Sequence, residues 1–225
     1  MNQNEQSQHP ASRLPIDQRI AYLSSIASLC MADGAVSDDE VANLRTLCAS
    51  MQVSGKHIGT VLGAAEEPDS DAVRACLRTL SGSELRFTFI TDLFLLAHAD
   101  GVIDKDEQRE IDGMAEALGL TDEQVGSIRE YVNALNRAMG SDAVDKSDLK
   151  DLGAEVAAGL AGAGVPIAAV GAAGSVAGFS AAGITSGLAA LGMGFGMLSG
   201  IGTAVAIGAG SYMGVKYLYR KWKKT

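Results

Sequence analysis

Charge is missing from a long part of this sequence. No Asp, Glu, Lys or Arg lies between Glu155 and Lys216. All 27 acidic residues but only 13 of the 18 basic ones lie in residues 1–155, which therefore carry a net charge of −14. A globular domain rarely goes without charge over such a length, whereas a segment that enters a bilayer does. The chain therefore divides into an acidic globular part and an uncharged, membrane-seeking part.

Cysteine is scarce, and the few cysteines are not spaced as pairs. Cys30, Cys48 and Cys76 make an odd number with no CxxC spacing, which argues against a disulfide framework or a zinc ribbon and favours a reducing compartment. Residues 1–15 are polar, contain two prolines and lack the regions of a secretory signal peptide, so we expect a disordered lead-in. The acidic surface argues against a nucleic-acid partner.

The motifs of the common catalysts are also missing. The sequence contains no Gly-x-Ser-x-Gly, no Walker loop and no HExxH, and these are the local signatures of serine hydrolases, nucleotide hydrolases and zinc proteases. Nothing in the spacing pairs a cysteine with His57 or His98. We expect no enzymatic activity.

What is present is helical periodicity. Apolar residues recur at helical spacing, and no run alternates as a strand would, so the fold class is all-α. The helix that begins at Glu84 is apolar on almost every side, and we expect it to be buried at the centre. Helices are predicted over residues 16–32, from Asp38 through 51, and over 56–65, 71–80, 84–99, 105–118, 122–139 and 143–158.

A short acidic segment occurs twice in the sequence. Ala32–Glu40 reads ADGAVSDDE and Ala99–Glu107 reads ADGVIDKDE. The apolar pattern of the helices on both sides also repeats at the same offset, so each copy reads as a helix, a glycine stop, a short link and a helix start. We expect two helical hairpins packed around the buried helix.

These paired segments, in an acidic helical region, resemble the tellurite-resistance TerB-like domain over residues 16–140. The resemblance implies a compact all-helical fold that responds to metal and serves bacterial stress and defence systems. It also implies that such a domain is often joined to membrane segments.

The acidic residues of the two segments have two interpretations. In the first, Ser37 with Glu40 and Asp104 with Glu107 are capping boxes, which need no ligand. In the second, the carboxylates gather around a hard divalent cation, Ca²⁺ or Mg²⁺. Neither segment is an EF-hand, because Leu44 and Ile111 occupy the twelfth positions. The residues of the metal hypothesis are Asp33, Asp38, Asp39, Glu40, Asp100, Asp104, Asp106 and Glu107.

The uncharged run is long enough for two membrane spans and a turn. After a linker helix at 141–158, we predict a transmembrane hairpin over 159–215 with spans at about 160–182 and 189–213. A basic aromatic tail follows at 216–225, and its positive charge favours the cytoplasmic side. The residues expected at the membrane interface are Tyr212, Tyr217, Tyr219, Trp222, Arg220, Lys221, Lys223 and Lys224.

Glycines four residues apart occur through the hairpin. Such spacing lets helix backbones approach closely in lipid, so we expect helix packing and a homo-oligomer. The residues are Gly174, Gly178, Gly183, Gly187, Gly192, Gly196 and Gly200.

The segment VPIAAVG at 165–171, with GFSAAGITSG at 178–187, resembles the glycine-rich core of the interferon-alpha-inducible small membrane proteins. That resemblance spans about 165–190 and implies a link to membranes, cell death and antiviral responses. The chain departs from the pattern after it, where MGFG occupies 193–196.

The sequence predicts a bacterial inner-membrane stress or defence protein with its acidic domain and its C-terminus in the cytoplasm. The acidic domain would sense or bind a cation or a protein partner, and the hairpin would anchor or assemble in the lipid bilayer. Two alternatives stay open: a pore-forming effector restrained by its acidic domain, and a passive scaffold that tethers stress-response partners.

Overall fold

The structure is a computed structural model of the 225-residue chain, and it describes residues 9–32, 36–98, 103–140 and 155–173. These residues form helices and connecting turns, which confirms the all-α prediction. The α-helices are α1 Ile16–Ala27, α2 Asp38–Ser50, α3 Lys56–Glu66, α4 Ser70–Leu80, α5 Leu85–Ala97, α6 Lys105–Ala117, α7 Asp122–Gly140, α8 155–162 and α9 Ile167–Ala173. Two short 3₁₀ helices, Pro10–Arg13 and Ser28–Met31, lie on either side of α1.

The chain divides into two compact units. Of the described residues, the first unit holds those up to Thr121 together with Ala168–Ala173, and the second holds those from Asp122 to Ile167. Within the first unit, α1 packs against α3 and α4, and α5 packs against α6 and α1. The helices that begin at the two acidic segments, α2 and α6, both belong to the first unit.

The sequence repeat is a structural repeat. Helices α2 and α6 are each 13 residues long, start at equivalent positions of the two copies and begin with a capping box. Each also ends on a left-handed residue at an equivalent position, Gln52 with φ 56° and Gly119 with φ 71°. At both ends the next amide reaches back to the last turn, from Val53 to Cys48 and from Leu120 to Ala115, as in a Schellman motif.

Helix α5 is the buried helix that the sequence predicts. Every residue from Phe87 to Ala97 is buried, and an all-round apolar helix is stable only in such an environment. Tyr22 of α1 and Phe89 of α5 occupy equivalent positions in the two repeats. Their rings meet edge to face, with centroids 5.0 Å apart and planes at 90°, so the repeats contact each other through matching residues.

The N-terminal segment differs from the expected disordered lead-in over its described residues, 9–15. Residues 10–13 form a 3₁₀ helix, and the side chain of His9 is fully buried. Order arises here because the buried imidazole hydrogen-bonds inside the fold, which a count of polar residues does not register. Residues 1–8 lie outside the described part.

The predicted first membrane span, 160–182, is not one continuous helix over its described residues. Helix α8 ends at a turn in which Gly164 has φ +72° and the amide of Val165 donates to the carbonyl of Leu160 at 2.8 Å. Pro166 follows, has no amide hydrogen and restarts the chain as α9. In the part that the structure describes, no helix is both long and apolar enough to cross a bilayer. Residues 174–215, which hold the rest of the predicted hairpin, and the tail at 216–225 lie outside that part.

Candidate functional site: the paired acidic segments

The start of α2 is held by a reciprocal cap. The amide of Glu40 donates to Ser37 Oγ at 3.2 Å, while Glu40 Oε2 accepts from the amide of Ser37 at 2.7 Å and from its hydroxyl at 2.8 Å. The sequence favours this geometry because serine and glutamate three residues apart satisfy two free amides at a helix start. Glu40 thus stabilises the start of α2.

The start of α6 repeats the arrangement with an aspartate as the cap. Asp104 Oδ1 accepts from the amides of Asp106 at 2.6 Å and Glu107 at 2.8 Å. Glu107 Oε2 accepts from the amide of Asp104 at 2.9 Å. Both segments therefore form the predicted capping boxes. Carboxylates at a helix N-terminus also interact favourably with the helix dipole.

Both capping glutamates affect the acidity of one thiol, that of Cys30. Cys30, in the 3₁₀ helix after α1, is 1% exposed. Burial raises the pKa of the Cys30 thiol above its usual range, the Glu40 carboxylate, which accepts its hydrogen bond, raises it further, and Glu107 adds to the effect. The 3₁₀ helix that holds Cys30 packs against α6, and α2 and α6 both pack against α5. The thiol stays protonated at neutral pH and is a poor nucleophile.

The other residues of the metal hypothesis are dispersed or outside the described part. Asp38 and Asp106 are exposed on the first turns of their helices, and Asp106 pairs with Arg109 at 2.7 Å. Asp39 lies in α2, but its side chain is outside the described part, as are Asp33 and Asp100. Among the described residues, no three His, Cys, Asp or Glu side chains are grouped to hold a metal ion. The described carboxylates therefore fit helix capping, and a cation site would need Asp33 and Asp100, which lie outside the described part.

A second polar cluster lies inside the first unit, and sequence reasoning did not find it. Asp92 of α5 is 3% exposed and accepts two hydrogen bonds at Oδ2, from His9 Nε2 at 2.9 Å and from the hydroxyl of Tyr22 at 2.7 Å. The amide of Ala11 donates to His9 Nδ1 at 3.2 Å. That bond leaves Nδ1 without a proton, so the proton lies on Nε2 and faces Asp92.

The cluster ties the N-terminal segment to the central helix. Burial raises the pKa of Tyr22 well above its usual value, and the neighbouring Asp92 raises it further. The three side chains are at most 3% exposed, so the cluster is shielded from solvent. The sequence held one signal of this cluster, an acidic residue in a mostly apolar helix.

A comparison with protein families decides the relationship. Residues 18–130 match the family of tellurite resistance protein TerB, which is just over half of the chain and includes both acidic segments. The chain belongs to the TerB family. No curated protein and no solved structure matches it significantly.

The TerB match confirms the resemblance drawn from the paired ADG segments. It begins two residues into α1 and ends inside α7. His9 and the whole uncharged run lie outside the match. The predicted likeness of 165–190 to the interferon-inducible membrane proteins falls mostly beyond residue 173 and stays a prediction.

Proposed function

We propose that this TerB-family protein is a non-enzymatic binding module of the bacterial stress response, and that its paired acidic segments take a divalent cation, Ca²⁺ or Mg²⁺. The observation that supports this is that α2 and α6, which begin at the two acidic segments, both pack against α5. Two acidic helix starts that are far apart in the sequence thus belong to helices with a common neighbour.

The chemistry of the segments suits a hard cation. Asp33 and Asp100 precede the two glycines of the ADG sequences and would supply carboxylate oxygens, and backbone carbonyls complete such shells in proteins. Asp38 and Asp106 are exposed and add negative potential. Binding is weak in this proposal because the carboxylates of Glu40, Asp104 and Glu107 already serve as caps.

Titration calorimetry of the full chain with Ca²⁺, Mg²⁺ and Zn²⁺ tests the proposal. We expect heat with Ca²⁺ or Mg²⁺ and a higher melting temperature, because a ligand of the folded state stabilises it. The variant Asp33→Asn with Asp100→Asn should lose both effects.

The charge-matched control is Glu66→Gln with Asp112→Asn, two exposed positions away from the segments. It should keep the heat and the shift. Absence of both effects in the unaltered chain, or their loss in the control as well, would contradict a cation site.

We further propose that residues 159–215 anchor or assemble in the inner membrane, with both chain ends in the cytoplasm. The support is the long run without charge and the basic aromatic tail after it. Reporter fusions at Met1 and Thr225 should both be active on the cytoplasmic side. Crosslinking in membranes should show an oligomer that Gly196→Ile removes and that Gly194→Ile, a position off the four-residue spacing, leaves intact.

The pore-forming and scaffold alternatives differ in one measurement. A membrane-potential dye in expressing cells reports depolarisation if the chain forms pores, and no change if it only tethers partners. The same comparison with residues 1–150 assigns any effect to the uncharged run.

A further inference from the structure

Helix α5 carries three buried polar residues in an otherwise apolar sequence, and each needs a hydrogen-bond partner. The hydroxyl of Thr91 donates to Phe87 of its own helix at 2.8 Å. Asp92 accepts from Tyr22 and His9. Thr88 is fully buried, and its hydroxyl donates to the carbonyl of Ala169 at 3.0 Å. A buried hydroxyl without a hydrogen-bond partner destabilises the fold. The bond from Thr88 to Ala169 therefore stabilises the packing of α9 against α5.

The partner of Thr88 lies at the beginning of the uncharged run. Ala169 and Val170 belong to α9, are 9% and 0% exposed, and lie in the same unit as α5. The contact joins residues 81 positions apart. The first unit thus holds one turn of the uncharged run, for which membrane anchoring is proposed above.

The contact is specific to the second repeat. When the two copies are aligned on their ADG segments, Ala21 is the equivalent of Thr88 and Ser25 is the equivalent of Asp92. The second copy therefore carries a donor and a carboxylate where the first carries a methyl and a small hydroxyl. Thr88 bonds Ala169 and Asp92 bonds His9. Both partners lie outside the residues that match the family. Residues 88 and 92 are four apart and share a face of the helix.

We propose that this face of α5 is a docking surface for the chain's own uncharged segment, and that docking of Ala168–Val170 there restrains the segment from a lipid bilayer. Release of this turn frees the segment for the membrane. The inference rests on the membrane affinity proposed above and is independent of the cation site.

The test uses the full chain with Thr88→Val, which keeps the shape and the β-branch and removes the donor. Hydrogen exchange of residues 168–173 should become about fivefold faster, the effect of one lost hydrogen bond on an opening equilibrium. The fraction of chain that floats with vesicles of phosphatidylethanolamine and phosphatidylglycerol should rise with it.

Two variants serve as controls. Thr91→Val removes an equally buried hydroxyl of the same helix whose partner lies within α5, so exchange of 168–173 and vesicle binding should stay as in the unaltered chain. Thr88→Ser restores the donor and should behave like the unaltered chain, even if Thr88→Val proves less stable.

The outcomes distinguish a failure of the docking proposal from a failure of the membrane proposal. Equal exchange in Thr88→Val and Thr91→Val would overturn docking, whatever the vesicles show. Faster exchange without added vesicle binding would overturn restraint. A chain that binds no vesicles in any variant would overturn the membrane proposal together with this one. Exchange that slows as protein concentration rises would replace the chain's own segment with that of a second copy.

Discussion

Gln52 ends α2 in a left-handed backbone conformation, with φ 56°. That conformation costs a residue with a side chain about 1–2 kcal/mol, and glycine adopts it freely. The second repeat has Gly119 at the equivalent position, with open space where a Cβ would stand. The two helix ends therefore share a backbone conformation and differ in the conformational strain of the residue that adopts it.

Exchanging these residues should shift stability in opposite directions. Gln52→Gly should raise the free energy of unfolding by about 0.5–1 kcal/mol, since relief of strain exceeds the added freedom of the unfolded chain. Gly119→Gln should lower it by about 1 kcal/mol. Urea unfolding measures both. Ser54→Gly, two residues on and without a positive φ, should not stabilise, and equal stabilisation there would contradict the strain argument.

The capping glutamates permit a test at the same scale. Glu40→Ala and Glu107→Ala should each lower the free energy of unfolding by about 0.5–2 kcal/mol, because each leaves a helix-start amide without its acceptor. Thermal melts in excess chelator check this. Glu116→Ala, exposed near the end of α6, should have no such effect. Losses that appear only when metal is present would assign these glutamates to cation binding instead.

At the scale of elements, the N-terminal 3₁₀ helix is a strap that packs against α5, and the side chains of His9 and Ala11 are both fully buried. His9 is buried and supplies one of the two hydrogen bonds at Asp92 Oδ2. For a buried carboxylate that loses a donor, the remaining bond offsets only part of the desolvation cost.

His9→Ala should therefore lower the free energy of unfolding by about 1–3 kcal/mol and expose residues 9–15 to proteases. Limited proteolysis followed by mass spectrometry locates the cuts. His57→Ala on α3 is the matched control, since His57 is only half-buried. If both variants are cut alike, the strap is not held by the imidazole.

The helices and both capping boxes were predictable because their signals are local. Apolar spacing, a serine or aspartate and a glutamate three residues later all lie within a few positions of one another. The partners of His9 and Thr88 lie 83 and 81 residues away, and no periodicity encodes them. The break before α9 did have a local signal, Gly164 and Pro166, but the length of the uncharged run outweighed it.

At the scale of the whole molecule, the buried cysteine thiols and tyrosine hydroxyls predict that stability falls at high pH. Burial raises the pKa of Cys48 from its usual 9.0 to about 11, with Arg45 opposing the shift. It also raises the pKa of Cys30, Cys76, Tyr22 and Tyr131. The folded chain thus holds protons that the unfolded chain releases, so stability is full below the unfolded pKa and declines above it.

The free energy of unfolding should fall above about pH 9, by up to about 1.4 kcal/mol per pH unit for each group that ionises only on unfolding. Guanidinium unfolding from pH 7 to 11 measures the slope. Cys48→Ala should make the slope shallower whatever it does to stability at pH 7. An unchanged slope would mean that this thiol ionises in the folded state.

The bond from His9 to Asp92 also sets an order of events during synthesis. His9 leaves the ribosome before its acceptor exists, and 83 positions separate the two residues. At about 5–20 residues per second, that interval is about 4–17 s. During it, the beginning of the chain has no carboxylate to bind, while α1 to α4 already have local partners. His9 therefore waits for its partner longer than α1 to α4 wait for theirs, and the N-terminal 3₁₀ helix stays unattached until the central helix emerges.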